Sequence, residues 1–85
     1  MNVLTVAIPT KNGEGTIEVN LKKLTNLKKK YSFQIIVSDN CSTDRTEEIV
    51  KKYNEVEYYK NDKDYFFDIN CHLSVKRAKG NYVWL

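Results

Sequence analysis

The sequence predicts a three-layer α/β domain with a mostly parallel sheet, built in the order β-α-β-α-β-α-β. Short apolar runs at residues 3–8, 35–37 and 82–85 have the length and composition of buried strands. Stretches with apolar residues at helical spacing separate these runs. Because each strand is followed by a helix, right-handed crossovers would place the strands side by side and parallel.

The first strand is expected at residues 3–8, and Pro9, which has no N–H group for a sheet, is expected to end it. The polar turn at residues 10–15 follows and holds two of the three glycines in the chain, so its backbone can approach a ligand closely. A helix is then predicted at about residues 16–30. Its apolar face consists of Ile17, Leu21, Leu24 and Leu27.

The central strand is expected at residues 35–37, an unbroken run of β-branched side chains. Five polar residues crowd the turn after it: Asp39, Asn40, Ser42, Thr43 and Asp44. Asp44 has Glu47 three residues on, as in a capping box, so helix capping accounts for the later members. Asp39 and Asn40 precede the cap. Polar residues at the carboxyl end of a buried strand are where open α/β sheets bind ligands, so this turn is a candidate site.

The second half of the chain continues the alternation of helices and strands. A helix is predicted at residues 45–53, and a short strand at residues 56–59 is expected at the sheet edge because acids flank it. The third helix is predicted at residues 65–79, with Ile69, Leu73 and Lys76 on one stripe and Gly80 as its left-handed stop. A fourth strand begins at Tyr82. A functional loop should follow that strand, so we expect the chain to be the amino-terminal part of a longer protein.

Length and composition limit the function classes. Eighty-five residues make one small domain, and 41% hydrophobic content is typical of globular proteins. The net charge of +3, from 14 Lys and Arg against 11 Asp and Glu, is too small for a strongly basic nucleic-acid protein. Cys41 and Cys71 are expected to be reduced thiols in a cytosolic protein. No signal peptide, membrane span or metal-ligand cluster is predicted.

Three motifs occur in a fixed order along the chain. They are Ile-Pro-Thr-x-Asn at residues 8–12, V-S-D-N-x-S-T-D at residues 37–44, and A-x-G before an aromatic-rich strand at residues 78–85. Together they resemble the start of a family 2 glycosyltransferase of the GT-A fold, and the match covers nearly the whole chain. The resemblance implies that residues 1–85 form the Rossmann-like nucleotide-binding half of a truncated GT-A domain. Finer details resemble members that act in bacterial surface-polysaccharide synthesis.

The resemblance implies a nucleotide site after the first two strands. Pro9, Thr10 and Asn12 match the turn that lines the base and ribose. Asp39 and Asn40 match the pair that hydrogen-bonds the base, usually uracil. The common form of that pair is Asp-Asp, so Asn40 is a departure. An Asn carbonyl can still accept the N3–H of uracil, and its NH₂ group can donate to a ring carbonyl.

The resemblance also implies parts that lie outside this chain. An Asp-x-Asp site for Mg²⁺ or Mn²⁺, which neutralises the diphosphate, is expected just beyond Leu85. The acceptor-binding half and its carboxylate base are expected there too. The chain is therefore predicted to hold no catalytic residue and no metal ligand. Lys11 replaces a frequent aromatic residue of the family and is expected to be solvated, although it can reach a phosphate.

The full-length protein is expected to be a metal-dependent, inverting transferase that takes a nucleotide-diphosphate sugar, usually UDP-linked, and a glycan or lipid-linked acceptor. We expect it in the cytoplasm or peripherally at the inner face of the membrane. The fragment alone is expected to be inactive and to self-associate through its exposed sheet.

Two other function classes stay open. One is a small nucleotide-binding or receiver-like α/β module that acts by binding alone. The other is a basic nucleic-acid binder, which the weak net charge disfavours. The region after Leu85 separates the first alternative from a glycosyltransferase, because only the enzyme requires an Asp-rich loop there.

Overall fold

A computed structural model of the chain describes residues 4–78 and 82–84. Four parallel strands form one sheet in the order β3-β2-β1-β4. The strands are β1 (Leu4–Thr10), β2 (Phe33–Asp39), β3 (Val56–Lys60) and β4 (Tyr82–Trp84). The helices that alternate with them are α1 (Glu14–Lys28), α2 (Thr46–Val50) and α3 (Phe67–Arg77). The predicted α/β class with a parallel sheet is confirmed.

The strand order determines which helix covers which face. Along the chain, β2 pairs with β1 and β3 pairs with β2, so these strands extend the sheet in one direction. The connection after β3 then crosses back over β2 and β1, and β4 pairs with the other edge of β1. Right-handed crossovers therefore put α1 and α2 on one face and α3 on the opposite face. In agreement, α1 contacts α2, and α3 contacts β1 and β2. The strand order reverses between β1 and β4, which is where open α/β sheets form a ligand-binding crevice.

The face covered by α1 and α2 carries the hydrophobic core. Side chains alternate between the two faces along a strand, so every second residue of β2 points toward these helices. The buried cluster consists of Val6, Ile17, Leu21, Phe33, Ile35, Val37, Ile49 and Val50. Burying each large side chain of this kind contributes about 1.5–3 kcal/mol, so this face provides most of the hydrophobic stabilisation among the described residues.

The face covered by α3 is largely polar. The buried residues of α3 are Asn70 and Ser74, whereas the sequence places Ile69 and Leu73 on one stripe. That stripe does not form the buried face, because Ile69 is 40% exposed. Asn70 is buried because it exchanges hydrogen bonds with β2: Ser38 Oγ donates to Asn70 Oδ1 at 2.9 Å, and Asn70 Nδ2 donates to the Ser38 carbonyl at 3.1 Å.

Pro9 does not end β1, contrary to the prediction. The strand continues to Thr10, and Pro9 lies beside Ser38 of β2. The Thr10 carbonyl accepts a hydrogen bond from the Asn40 N–H at 2.8 Å, so the peptide groups of Thr10 face β2. Because successive residues alternate in direction, the Pro9 nitrogen faces the β4 side. The described pairs with β4 end at Val6, so Pro9 removes none of them.

The helix boundaries differ from the predictions at their ends. α2 ends at Val50 rather than near Tyr53, because the chain continues in tighter i→i−3 turns. In these turns the Lys52 N–H donates to the Ile49 carbonyl at 3.2 Å, and the Tyr53 N–H donates to the Val50 carbonyl at 3.0 Å. The predicted stop of the third helix at Gly80 lies outside the described residues.

β3 lies at an edge of the four-stranded sheet, as predicted. Across residues 4–78 and 82–84, no helix has the length and apolar character needed to cross a bilayer.

The two cysteines are both free thiols in this structure. Cys41 and Cys71 are not joined to each other, and Cys41 Sγ contacts the Asn61 carbonyl at 3.3 Å. Their reduced state in solution stays a prediction.

Candidate functional site

The carboxyl ends of β1 and β2 meet at one edge of the sheet. Thr10 and Asp39 are register partners, and the Asn40 N–H donates to the Thr10 carbonyl at 2.8 Å. The turns that follow the two strands therefore lie side by side. The five residues predicted from the sequence to bind a nucleotide all lie at this edge: Pro9, Thr10, Asn12, Asp39 and Asn40.

A groove of about 830 Å³ opens at this edge on the α3 side of the sheet. Its volume lies within the range of roughly 300–1,000 Å³ that is usual for small-molecule sites. Pro9 and Thr10 of β1 line it, together with Lys11 and Asn40, which directly follow β1 and β2. The remaining lining residues all belong to residues 63–70, the loop before α3 and the first turn of that helix.

Two aromatic rings in the groove are unusually exposed. Phe66 is 81% exposed and Phe67 is 74% exposed, and both line the groove beside the loop that precedes α3. Exposed apolar groups that cluster at a concave surface mark interaction sites rather than ordinary surface. Aromatic faces of this kind are the surface on which nucleic-acid bases stack, with about 1–3 kcal/mol per base.

Charged side chains lie at the mouth of the groove. Lys11 forms an ion pair with Asp64, and both side chains are about half exposed, so the pair contributes no more than about 1 kcal/mol. The Lys63 ammonium lies 5.3 Å from the centre of the Tyr65 ring. The exposed ion pair of Lys11 and the exposed ring contact of Lys63 are both weak interactions, so either ammonium group can exchange its partner for an anion.

Asn40 and Asp39 face opposite sides of the sheet. Asn40 is 4% exposed and its amide bonds to the loop of residues 61–65, on the groove side. Asp39 is fully buried on the other side, where its carboxylate accepts from the Ser42 N–H at 3.0 Å and from the Ser42 hydroxyl at 2.5 Å. It also accepts from the Tyr58 hydroxyl.

The Tyr58 hydroxyl donates a hydrogen bond to the Asp39 carboxylate. Burial, and then the hydrogen bond to the Asp39 carboxylate, raise the pKa of the Tyr58 hydroxyl well above its ordinary value. The hydroxyl therefore keeps its proton at any physiological pH. The buried carboxylate is stabilised by three donors, and it fixes the turn after β2 from the core side.

Asn12 ties the two turns together. It adopts a left-handed backbone conformation with φ 52°, which Asn tolerates better than most residues. Its N–H donates to Ser42 Oγ at 2.8 Å, and its Oδ1 accepts from the Thr43 N–H at 2.8 Å. The Gly13 N–H donates to Thr46 Oγ1 at 2.9 Å. Asn12 therefore organises the site from outside the groove lining.

Asp44 joins the amino ends of α1 and α2. Its Oδ2 accepts from the Glu14 N–H at 3.1 Å, and its Oδ1 accepts from the Thr46 N–H at 2.9 Å. Partial burial favours a higher pKa for Asp44, but the hydrogen bonds from Thr46 and Glu14 outweigh it, so the pKa is lowered. The predicted capping box does not form, because Glu47 instead pairs with Lys51 at 2.7 Å.

The groove's aromatic wall was not predicted from the sequence. Tyr65, Phe66 and Phe67 are three consecutive aromatic residues in a charged loop just before a helix, and that unusual position is the signal that identifies them. The described residues 4–78 and 82–84 contain no group of three His, Cys, Asp or Glu side chains that could hold a metal ion. The Asp-x-Asp site that the resemblance implies is expected beyond Leu85, outside these residues, and it stays a prediction.

Comparisons with known proteins agree with the motifs. The model of the family described as "Glycosyl transferase family 2" matches residues 5–85. A chondroitin synthase of Escherichia coli is 33% identical over 94% of this chain, and the abequosyltransferase RfbV of Salmonella typhimurium is 34% identical over 98% of it. A chondroitin synthase of Pasteurella multocida is 31% identical over 94%. The chain spans 12%, 27% and 9% of the lengths of these three relatives, respectively.

Proposed function

Because the chain belongs to glycosyl transferase family 2, we propose that its groove binds the nucleotide part of a nucleotide-sugar donor. One observation carries the proposal: exposed aromatic rings, lysines and strand-end polar groups line the same groove at the carboxyl edge of the sheet. A nucleotide needs all three, since its base stacks, its phosphates are anionic and its ribose forms hydrogen bonds.

The lining suggests how a nucleoside diphosphate lies in the groove. The base stacks on the rings of Phe66 and Phe67, and Pro9 and Thr10 form the opposite wall beside the ribose. The phosphates lie toward Lys11, which exchanges its exposed pairing with Asp64 for the diphosphate. We propose UDP as the nucleotide, in line with the base preference that the motif resemblance implies.

The other nominated residues support the groove in different ways. Asn40 lines the groove and bonds the adjacent loop. Asn12 and Asp39 do not line the groove. Both hydrogen-bond Ser42, and these bonds fix the turns after β1 and β2. On this proposal all five residues serve nucleotide binding, and of the five only Pro9, Thr10 and Asn40 line the groove.

For the whole protein we propose transfer of a sugar from the nucleotide to an acceptor hydroxyl during polysaccharide synthesis. The names of the relatives, chondroitin synthase and abequosyltransferase, support this reaction class. We further propose inversion at the anomeric carbon, a glycan or lipid-linked acceptor, and Mg²⁺ or Mn²⁺ bound by residues outside the described part. A cytoplasmic location, free or at the inner membrane face, suits a nucleotide-sugar donor.

The test is calorimetric titration of the 85-residue chain with UDP, uridine and inorganic diphosphate, each with and without Mn²⁺. We expect weak binding of UDP, weaker binding of uridine, and no change with Mn²⁺. Sedimentation at the same concentrations reports the self-association that we propose for the isolated chain. Absence of UDP binding would overturn the proposed function. Tight Mn²⁺-dependent binding, or sugar transfer by this chain alone, would contradict the placement of the metal site elsewhere.

A further inference from the structure

The Asn40 side chain makes every hydrogen bond that a primary amide can make, and all its partners lie in the loop of residues 61–65. Its Nδ2 donates to Asp64 Oδ1 at 3.0 Å and to the Tyr65 carbonyl at 2.6 Å. Its Oδ1 accepts from Asn61 Nδ2 at 3.1 Å and from the Tyr65 N–H at 2.8 Å. Both donors and both lone pairs are in use, so no capacity remains for reading a base.

We infer that Asn40 is a positioning residue, which fixes the loop of residues 61–65 as one wall of the groove. The functional meaning of this inference rests on the proposed nucleotide binding. The loop contributes Lys63, Asp64 and Tyr65 to the lining and leads directly into the exposed Phe66. Asn40 therefore affects the ligand through the loop, because the position of the loop determines the distance between the aromatic side chains and Thr10 across the groove.

The start of the same loop is anchored to the same buried network. Asn61 is 3% exposed, and its N–H donates to the Asp39 carbonyl at 2.8 Å. Its Nδ2 donates to Asn70 Oδ1 at 2.9 Å, and its Oδ1 accepts from Arg77 Nη1 at 2.8 Å. The loop is thus held at residue 61 by β2 and α3 and at residue 65 by Asn40. Losing Asn40 releases the end that adjoins the aromatic wall.

The partners of Asn40 explain why this position carries an amide and not a carboxylate. An Asp in the same place would direct an acceptor oxygen at Asp64 Oδ1 and at the Tyr65 carbonyl, which are 3.0 Å and 2.6 Å from the amide nitrogen. Neither partner can donate a proton to it when Asp64 is ionised. A buried carboxylate facing two acceptors is strongly disfavoured, so Asn40→Asp should displace the loop.

The first experiment needs no ligand. Amide hydrogen exchange is followed by NMR in the wild-type chain, in Asn40→Asp and in Asn40→Ser, which is neutral and too short to reach the loop. We expect the Tyr65 amide to exchange about tenfold faster in both variants, as loss of one hydrogen bond predicts, with the Ile36 amide of β2 unchanged. Asn20→Asp, an equal charge change at an exposed position of α1, should leave Tyr65 unaffected.

A rescue variant separates positioning from a general loss of stability. In Asn40→Asp combined with Asp64→Asn, the new amide at position 64 can donate to the carboxylate at position 40, so Tyr65 protection should recover in part. Unchanged Tyr65 exchange in both single variants, or no recovery in the double variant, would overturn the inference.

Titration with UDP then tests the link to the groove. We expect Asn40→Asp and Asn40→Ser to bind UDP more weakly than the wild-type chain, with partial recovery in the double variant. Wild-type affinity in variants whose Tyr65 amide exchanges faster would overturn the inference while leaving the proposed function intact. Absence of UDP binding by the wild-type chain would overturn the proposed function alone, because the exchange result does not depend on a ligand.

Discussion

At the scale of single residues, Phe66 gives a direct test of the groove. The ring is 81% exposed, so its removal disturbs little packing and should leave the fold intact. Phe66→Ala should weaken UDP binding by about 1–3 kcal/mol, the range measured for base–aromatic stacking. Calorimetric titration measures the change, and Phe66→Tyr, which keeps the ring, should bind like the wild-type chain.

The control for Phe66→Ala is Leu27→Ala, a truncation of a 47% exposed apolar side chain on α1. Uridine and inorganic diphosphate serve as additional probes, since loss of stacking should reduce uridine binding and spare diphosphate binding. Equal affinities of Phe66→Ala and the wild-type chain for UDP, or an equal loss in Leu27→Ala, would contradict the stacking role.

The sequence predicted where the polar residues gather but not which way they face. Polar turns at the ends of two apolar runs had to meet at one edge, because adjacent parallel strands in register share that edge. Asp39 and Asn40 are consecutive, so the alternation of a strand sends them to opposite faces. The motif resemblance treats them as one pair that reads a base, whereas in this structure only Asn40 borders the groove.

At the scale of elements, Asp44 links two helices and its contribution should depend on pH. Partial burial favours a higher pKa, but hydrogen bonds from the Thr46 hydroxyl, the Thr46 N–H and the Glu14 N–H outweigh it, so the pKa of Asp44 is lowered from the ordinary value of 3.8. A carboxyl group whose pKa is lower in the folded chain stabilises the fold above its unfolded pKa. That stabilisation is lost as the pH falls through the folded pKa.

Asp44→Asn should therefore destabilise the chain at neutral pH, because an amide has one acceptor oxygen for two helix ends. The difference in unfolding free energy from the wild-type chain should stay constant in mildly acidic solution and shrink below pH 3.8. Urea unfolding at several pH values measures it. Glu55→Gln, an equal charge change at an exposed position, is the control. A difference that does not depend on pH would contradict the assigned role.

The order of the elements followed from the sequence, but the buried face of α3 did not. Helical spacing identifies apolar stripes and assumes that the stripe turns inward. In α3 the inward positions are Asn70 and Ser74. Asn70 is buried because it exchanges hydrogen bonds with Ser38 of β2, whereas the Ser74 hydroxyl donates to the Cys71 carbonyl of its own helix at 2.7 Å. The hydrogen-bonding groups of Ser38 and Asn70 match although the residues are about thirty positions apart in the chain. A pattern read within one helix cannot predict such a long-range match.

At the scale of the whole molecule, the sheet separates stability from binding. The apolar core lies under α1 and α2, and the groove opens beside α3, where the buried side chains are mostly polar. Core side chains contribute about 1.5–3 kcal/mol each when buried, whereas a hydrogen bond contributes about 0.5–1.5 kcal/mol net. The face that carries the candidate site is therefore held more weakly than the face that carries the core.

This asymmetry predicts that α3 opens before the rest of the domain. In native-state hydrogen exchange, amides of α3 should show a lower opening free energy than amides of β2, because sub-global opening follows the regions with little apolar burial. Saturating UDP should raise the protection of residues 61–70 more than that of β2, since the groove is built from that segment. Equal protection of α3 and β2 in the free chain would show that the polar network stabilises its face as strongly as the hydrophobic core stabilises the other.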